Sequence, residues 1–445
     1  MRVLVVGGGG REHALVHSFA QSSLASQVFC APGNAGIAAE ADCVHIGAED
    51  VPALLDFALN ERPDLTVIGP EAPLVAGITD LFRERGLRVF GPGTRAARME
   101  GSKVFAKEVM GEAGAPTGVY SRHVTVDSAF SALARQTEYP VVVKADGLAA
   151  GKGVIIAGDE AEARTAVEDM LVTKSFGGAG EVVLIEEHLA GSEVSLLVLC
   201  DGETAVPLAP AQDYKRIFAG DQGPNTGGMG SYCPVPGFEQ RAIDAAMDQA
   251  VEPVLATLKR RGITYRGVLY AGLIVTADGT KVLEFNCRFG DPETQAVLPR
   301  LKSDLLELCL AAANGELAGA KPEWTPQTCV TVVLASAGYP ASSHKGDAIE
   351  GLDAAAALDD VTVYHAGTAF AAATSGRGCF GRGDVVTAGG RVLAVSALGD
   401  DFAKARKRAY EGVALIRFDG MQTRPDIAER AERAEAGEIS LFPTS

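Results

Sequence analysis

The first hundred residues alternate short apolar segments with segments of helical spacing, and this alternation limits the possible folds more than any other feature. Val3–Val6 is an apolar strand that runs into four glycines, and Arg11–Gln21 follows with helical periodicity. Later strands are predicted at Gln27–Ala31, Leu65–Gly69 and Arg88–Gly91, with a helix at Leu74–Arg85. Alternation of this kind predicts a parallel sheet with helices on both faces and a ligand site at the carboxyl ends of its strands.

The predicted secondary structure of the rest of the chain changes twice. Its 445 residues suggest about two to four domains of roughly 100–200 residues each. A helix predicted at Lys103–Ala113 ends at a Gly-Ala-Pro break, and β-rich segments follow from Tyr139 onwards. A linker around Lys321–Gln327 precedes a further β-rich unit that ends in a helix near Phe402–Ile416. The last twenty residues are charged, and we expect them to be frayed.

The charge and the cysteines exclude several classes of protein. A formal net charge of −17 argues against binding along a nucleic-acid backbone, although a local basic pocket could hold small phosphates. The eight cysteines are scattered without a CxxC pair, which disfavours a zinc framework and indicates free thiols in a reducing compartment. The amino-terminal apolar stretch is too short for a signal peptide, and no apolar run has the length of a membrane helix. We therefore expect a cytoplasmic protein without nucleic-acid or membrane partners.

Two motifs follow strands of the predicted parallel sheet. GGGGREH (Gly7–His13) places glycines between a strand and a helix, where the backbone can approach a phosphate. GPEAPL (Gly69–Leu74) places Glu71 at the carboxyl end of a later strand, and the two motifs together suggest one small-molecule pocket. A nicotinamide or flavin site is the alternative, but it usually needs an acid at the end of the second strand. That strand ends in Cys30–Gly33 without an acid, which disfavours this alternative.

Two further motifs suit a nucleoside triphosphate. VVVKADGLAAGKGV (Val141–Val154) delivers Lys144 on an apolar strand and continues into a glycine-rich loop with a second lysine, groups that can surround phosphate oxygens. The order of residues is not that of a Walker loop. VVLIEEHLAGSEVS (Val182–Ser195) closes an apolar strand with two acids, which could form a nucleotide hinge or an ordinary solvated strand end.

The strongest signal is KVLEFNCRFGDPETQ (Lys281–Gln295). Because side chains alternate along a strand, Glu284, Asn286 and Arg288 lie on one face. A carboxylate and an amide oxygen suit a magnesium ion that bridges phosphates, and the guanidinium supplies a cation for transition-state charge. GPNTGGMG (Gly223–Gly230) offers amides and polar side chains in a pattern typical of an anion or substrate loop.

With these motifs in place, the chain resembles the phosphoribosylamine–glycine ligase family of the ATP-grasp superfamily. The resemblance runs in order along nearly the whole chain, and GPNTGGMG and NCRFGDPET are its most specific motifs. It also includes APGNAG (Ala31–Gly36), YAGL (Tyr270–Leu273), HAGT (His365–Thr368) and GGRVL (Gly389–Leu393). KADGLAAGKG alone is typical of the wider superfamily.

The resemblance implies a multidomain α/β and α+β fold. Residues 1–100 would form a Rossmann-like pre-ATP-grasp domain, 101–320 an ATP-grasp domain with a mobile lid subdomain at about 118–190, and 327–425 a small β-rich C-terminal domain. It implies ATP, glycine and 5-phosphoribosylamine as substrates, with Mg²⁺ or Mn²⁺, in de novo purine biosynthesis. The reaction would yield glycinamide ribonucleotide, ADP and phosphate through glycyl phosphate. We expect the protein to act as a monomer.

The resemblance also assigns roles to individual residues. Those that resemble ATP ligands are Lys103, Lys144, Gly151, Lys152, Gly153, Glu186, Glu187, Leu189 and Glu193. Glu284 and Asn286 resemble the metal ligands, and Arg288, together with Lys144, resembles the catalytic cations. The residues expected to bind glycine or phosphoribosylamine are Gly9, Gly10, Arg11, Glu71, Asp213 and Asn225.

Two positions depart from the family's pattern. Tyr214 stands where the family often has histidine, and we assign that position no catalytic role. Gly272 stands where many ATP-grasp enzymes have a second metal carboxylate, which puts a wholly carboxylate two-metal site in doubt.

Three other functions stay open at this stage. A dehydrogenase is disfavoured by the missing ribose acid. A non-catalytic nucleotide-binding module is disfavoured by the set of Lys144, Glu284, Asn286 and Arg288, because a sensor needs no transition-state cation. Another ATP-grasp ligase, with a different acid and amine, is the nearest rival.

Overall fold

The N-terminal region is built around a parallel sheet, as the sequence predicts. A computed structural model describes residues 1–148, 153–174, 180–371 and 384–443. The five strands of the sheet are, in spatial order, Asp42–Cys43, Gln27–Pro32, Arg2–Gly7, Leu65–Ile68 and Val89–Phe90. The strand Arg2–Gly7 pairs in parallel with Gln27–Pro32 on one side and with Leu65–Ile68 on the other. The chain therefore leaves the centre of the sheet in both directions, which opens a crevice at the carboxyl ends of the central strands.

Helices cover this sheet, and one prediction about them is wrong. The helices are Gly10–Ala20, Ile37–Ala39, Val51–Glu61, Glu71–Val75, Ile78–Glu84 and Thr94–Gly101. The single helix predicted at Leu74–Arg85 is broken into two at Ala76 and Gly77. Gly77 has a φ of +96°, a left-handed conformation that glycine adopts readily and that ends a regular helix.

The middle of the chain forms two antiparallel sheets of four strands. The first contains, in spatial order, Tyr120–His123, Val183–Glu187, Val141–Ala145 and Val154–Ala157. The second contains Ala205–Pro207, Ser192–Asp201, Arg266–Thr276 and Gly279–Asn286. The first sheet packs on Val126–Leu133 and Glu160–Leu171 around its own small apolar core. Residues 149–152, which belong to the predicted lid loop, lie outside the described residues.

The remaining helices of this region brace the second sheet. Lys103–Ala113 begins at Ser102, whose hydroxyl accepts a hydrogen bond from the Phe105 amide at 3.1 Å, and it ends at Gly114 with a φ of +69°. This helix matches its predicted bounds. The other helices are Gln240–Ala246, Met247–Val251, Glu252–Arg260, Glu293–Val297, Leu298–Arg300 and Leu305–Asn314.

The C-terminal region forms a sheet that borrows strands from the middle of the chain. Its five strands are, in spatial order, Gln212–Asp213, Gly230–Cys233, Thr328–Ala335, Arg391–Gly399 and Val361–His365. The helices Leu352–Ala356 and Phe402–Leu415 pack against it. Two small hairpins complete the described elements: Arg216–Phe218 with Gln222–Asn225, and Thr368–Phe370 with Val385–Thr387.

Residues 426–443 are ordered, so the prediction of a frayed end is wrong for the described part of the last twenty residues. Ile427 and Ala431 are fully buried, and a helix spans Glu429–Glu435. The Ser192 hydroxyl donates a hydrogen bond to the Leu441 carbonyl. Charged residues suggested a solvated end, but apolar residues between them pack onto the neighbouring domains.

Within the described residues, no helix has the length and apolar character needed to cross a lipid bilayer.

Candidate active site

A cleft of about 890 Å³ lies where the three regions meet. The crevice of the N-terminal sheet forms one end, the antiparallel sheets form the other, and residues of the C-terminal sheet close one side. The predicted site residues that line the cleft are Arg11, Glu71, Lys103, Lys144, Gly153, Glu186, Glu187, Leu189, Glu193, Asp213, Asn225, Glu284, Asn286 and Arg288. Gly9 and Gly10 do not line it, and Gly151 and Lys152 lie outside the described residues.

The glycine run has a buried partner that the sequence did not reveal. The Glu12 carboxylate accepts a hydrogen bond from the Gly9 amide at 2.7 Å and pairs with the Arg11 guanidinium at 2.5 Å. A side chain at Gly7 or Gly69 would collide with Glu12. These glycines therefore make room for Glu12, which holds Arg11 at the edge of the cleft, and the Gly9 amide is already satisfied.

Three lysines lie close together at the opposite end, and two of them pair with one carboxylate. Lys107 pairs with one oxygen of Glu186, and Lys144 lies 2.6 Å from the other as an ion pair rather than as an aligned hydrogen bond. Lys103 donates to the Gly147 carbonyl at 3.0 Å. Burial lowers the pKa of Lys103 and of Lys107, although neighbouring carboxylates oppose the shift. Sequence reasoning missed Lys107, although it lies one helical turn after Lys103.

The predicted nucleotide hinge continues along the same wall of the cleft. Glu187 is paired with Lys281 at 3.4 Å. Glu193 pairs with Lys215. Lys215 also was missed, although it follows Tyr214, a position that was compared with the family's pattern.

Glu284 and Asn286 form the predicted metal site, and their chemistry fits a hard cation. The Asn286 amide lies 3.5 Å from a Glu284 oxygen. Burial raises the pKa of Glu284, but Lys215, Lys144 and Lys103 outweigh burial and lower it, so the carboxylate is ionised at neutral pH. Gly272 is the cross-strand neighbour of Glu284, so no second carboxylate stands there.

These two side chains cannot enclose a metal alone. No group of three or more His, Cys, Asp or Glu side chains suited to a metal occurs among the described residues. Magnesium is commonly held by one or two protein ligands together with water and substrate phosphates. Glu284 and Asn286 therefore fit a metal that arrives with a nucleotide.

Arg288 is held on three sides. Its guanidinium donates to Glu71 at 3.2 Å, to Glu100 at 2.9 Å and to the Phe289 carbonyl at 3.0 Å. Burial opposes the charge, but the two carboxylates raise the pKa of Arg288. Glu71 therefore contacts the arginine rather than standing free for substrate. Glu100 was missed, and its sequence context, the helix Thr94–Gly101, carries no signal for it.

Acidic side chains line the middle of the cleft. Tyr270 donates to Glu293 at 2.9 Å, and Ser195 lies 3.2 Å from the same carboxylate oxygen. Burial raises the pKa of Asp213 to about 7, and Glu293 and Glu193 add to the rise while Lys215 opposes it. Glu293 lies within the GDPET motif but was given no role from the sequence. Together these acids suit a ligand that carries an amine.

Tyr214 lies between two cleft residues but points away from the cleft. Its hydroxyl accepts a hydrogen bond from the Ala428 amide at 2.9 Å, and the Arg424 guanidinium lies 4.7 Å from the centre of its ring. Asp213 and Lys215 line the cleft on either side of it, whereas Tyr214 does not. This position agrees with a structural role.

The C-terminal sheet contributes two side chains that sequence reasoning missed. Arg391 pairs with Asp291 at 3.1 Å and donates to the Gly227 carbonyl. The Gly227 amide donates to the Tyr339 hydroxyl at 2.9 Å. Arg391 belongs to the GGRVL motif, so the family pattern contained it, whereas no motif contains Tyr339. Both residues hold the GPNTGGMG loop against the cleft.

The chain matches family models along most of its length. The models are the N domain of phosphoribosylglycinamide synthetase at residues 1–100, its ATP-grasp (A) domain at residues 101–294 and its C domain at residues 329–430. A phosphoribosylamine–glycine ligase of Caldanaerobacter subterraneus is 47% identical over 96% of this chain and 99% of the relative. One of Salmonella typhi is 48% identical over 98% of this chain and 100% of the relative.

Solved structures agree with this likeness. The crystal structure of phosphoribosylamine–glycine ligase from Thermotoga maritima superposes with a TM-score of 0.79 at 32% identity, covering 96% of this chain and 100% of that chain. A biotin carboxylase from Campylobacter jejuni shares the fold alone, with a TM-score of 0.71 at 15% identity, over 95% of this chain and 92% of that chain. The chain belongs to the phosphoribosylglycinamide synthetase family.

Proposed function

We propose that the chain joins glycine to 5-phosphoribosylamine with ATP, giving glycinamide ribonucleotide, ADP and phosphate. One observation carries the proposal within the family: a single cleft is lined by lysines, by the pair Glu284 and Asn286, by the fixed Arg288 and by buried acids. The product places the reaction in purine biosynthesis. The preference for Mg²⁺ or Mn²⁺, the monomeric state, the cytoplasmic location and the domain bounds remain predictions from the sequence.

The lysine end suits the triphosphate. Lys103 and Lys144 line the cleft within reach of one another's charge, beside Gly153 at the end of the glycine-rich loop. Ammonium groups neutralise phosphate oxygens without demanding a fixed geometry. Glu187 and Leu189 would meet the adenine, and Glu193 the ribose. A cation held by Glu284 and Asn286 would neutralise charge on the phosphates.

The carboxylate of glycine must be converted into an electrophile before an amine can attack its carbon. We propose that a carboxylate oxygen of glycine attacks the γ-phosphorus while the bond to the ADP oxygen breaks, which yields glycyl phosphate. Arg288 faces the charge that develops on the transferred group. Asp213 and Glu293 offer carboxyl oxygens to amino groups in the same cleft. The amine of phosphoribosylamine then attacks the acyl carbon, and phosphate leaves.

Phosphoribosylamine would approach from the N-terminal sheet. Arg11, at the start of the helix Gly10–Ala20, and Asn225, on the hairpin opposite, line that part of the cleft. Gly9 and Gly10 do not line the cleft, and they contribute by setting the position of the Arg11 backbone. No side chain needs to be acylated, because the cleft brings two bound substrates together.

Release of ADP tests the overall reaction. We expect release to require both glycine and freshly prepared phosphoribosylamine, measured with each omitted in turn. Equal turnover with an unrelated amino acid, or with ribose 5-phosphate in place of the amine, would contradict the proposal.

Oxygen transfer tests the intermediate. Glycine labelled with heavy oxygen in its carboxylate should pass one label to inorganic phosphate in each turnover, because the attacking oxygen leaves with phosphorus. Direct attack of the amine on an unactivated carboxylate would leave the phosphate unlabelled.

A further inference from the structure

We propose that Glu100 is a positioning residue that fixes the guanidinium of Arg288 for the reaction. The inference rests on the proposed function, in which Arg288 meets the charge that develops on the transferred phosphoryl group. Glu100 itself acts through Arg288 and has no assigned contact with a substrate.

Glu100 uses both of its carboxylate oxygens on consecutive residues. One oxygen accepts from the Arg288 guanidinium at 2.9 Å, and the other accepts from the Cys287 backbone amide at 2.8 Å. The Glu100 side chain is only 8% exposed. Because the carboxylate binds both the backbone and the adjacent side chain, it fixes the backbone from which the Arg288 side chain extends as well as the guanidinium at its tip.

The anchors of Arg288 come from three separate parts of the chain. Glu100 lies in the last turn of the helix Thr94–Gly101, Glu71 begins the helix Glu71–Val75, and Phe289 follows Arg288 directly. The three contacts use all three nitrogens of one planar group. A rotation of the guanidinium out of its present plane would therefore break at least one of these hydrogen bonds. A guanidinium has five N–H donors, so hydrogens remain for a ligand in the cleft that Arg288 lines.

Stability alone does not explain a carboxylate at this position. The neighbouring buried residues of the same helix, Ala96, Ala97 and Met99, are apolar. A buried ion pair commonly contributes no more stability than well-packed apolar side chains of the same volume. Burial, with the neighbouring Glu71, raises the pKa of Glu100 despite the nearby arginine, because burial disfavours the charged form. Buried charge without a stability gain is typical of a site that must aim a group.

Glu71 provides a matched comparison. It contacts the same guanidinium, but through one bond of 3.2 Å, and its side chain is 30% exposed. Glutamine at position 71 can keep that bond with its carbonyl oxygen. Glutamine at position 100 cannot keep both bonds, because its NH₂ group would face a second donor.

The test compares Glu100→Gln with Glu71→Gln at saturating substrates, with ATP binding and thermal unfolding measured for each. We expect Glu100→Gln to lower kcat by about 10–100-fold, the range found where residues that orient a metal ligand are removed. ATP binding should stay near normal, and Glu71→Gln should lose less activity. Near-normal turnover in Glu100→Gln would overturn the proposal.

A double-mutant cycle separates positioning from a general structural effect. In the Arg288→Ala background, Glu100→Gln should cause no further loss of rate, because the group that it positions is gone. An equal loss in both backgrounds would overturn the proposal. If Glu100→Gln fails to fold, Glu100→Asp keeps the charge but withdraws it by one methylene, and it should show the same dependence on Arg288. Failure of the unchanged protein to release ADP with both substrates would instead contradict the proposed function.

Discussion

The two ends of the cleft hold their cations in different ways. At the lysine end, Lys107 and Lys144 share the single carboxylate of Glu186. At the opposite end, Arg288 has two carboxylates to itself and a carbonyl as well. The lysine end therefore has two cations for one carboxylate. The arginine end has two carboxylates for one cation.

The difference suits two tasks. An ammonium is a compact charge on a flexible stem, so a group of lysines can adjust to phosphates that enter and leave. A guanidinium is a planar fork, and fixed partners aim it before a substrate arrives. We therefore expect the lysine end to depend on the sum of its charges and the arginine end to depend on geometry. Substitutions that change charge and shape separately distinguish the two.

The largest expected effect is at the arginine end. Arg288→Ala should lower kcat by about 10²–10³-fold, the usual loss when a well-aimed group that meets transition-state charge is removed. ATP should still bind. Arg288→Lys should recover only part of the rate, because a point charge cannot use three fixed partners. Full recovery by lysine would show that charge alone matters at this end and would remove the contrast.

A smaller effect is expected from the shared carboxylate at the lysine end. Glu186→Gln leaves one acceptor oxygen for Lys107 and Lys144, so one buried ammonium loses its partner. The free energy of unfolding should fall by about 1–3 kcal/mol in urea denaturation. The neighbouring Glu187→Gln is the control, because Glu187 is more exposed and its pair with Lys281 should contribute less than about 1 kcal/mol. Equal losses in both variants would contradict this account.

The smallest effect concerns Tyr214, which lies between the cleft residues Asp213 and Lys215. Tyr214→Phe removes the hydroxyl that accepts from the Ala428 amide, outside the cleft. Unfolding free energy should fall by about 0.5–1.5 kcal/mol, while kcat stays within a few-fold of the unchanged protein. Tyr214→His restores the residue that the family often has at this position. A large loss of kcat in the phenylalanine variant would give Tyr214 a role that its outward position does not suggest.

The sequence predicted the elements of this molecule better than their connections. The helix Lys103–Ala113 matches its predicted bounds, and the strands Gln27–Pro32 and Leu65–Ile68 begin where predicted and end within one residue of the prediction, because apolar spacing and end signals are local. The break at Gly77 was missed, since helical periodicity continues across it. The ordered C-terminal segment was missed because burial against distant elements leaves little trace in a charged local sequence.

The same distinction applies to the site. Glu284, Asn286 and Arg288 could be predicted because strand alternation places them on one face and a family motif contains them. Glu100 and Tyr339 could not, because each reaches the site only through the tertiary fold. Arg391 and Glu293 lay within recognised motifs, but a motif does not show which of its members faces the cleft. Position in a motif and position in a site are separate facts.

The sheet that takes strands from two distant parts of the chain also has a consequence for synthesis on the ribosome. Gly230–Cys233 pairs with Thr328–Ala335, which is translated roughly a hundred residues later, about 5–20 s at ordinary elongation rates. Until then the earlier strand has an unpaired edge, a surface that invites pairing with another nascent chain. A gene cut between residues 233 and 328 would make two fragments that each lack part of one sheet. We therefore expect this architecture to be most prone to aggregation as a nascent chain on crowded polysomes, rather than as the finished enzyme.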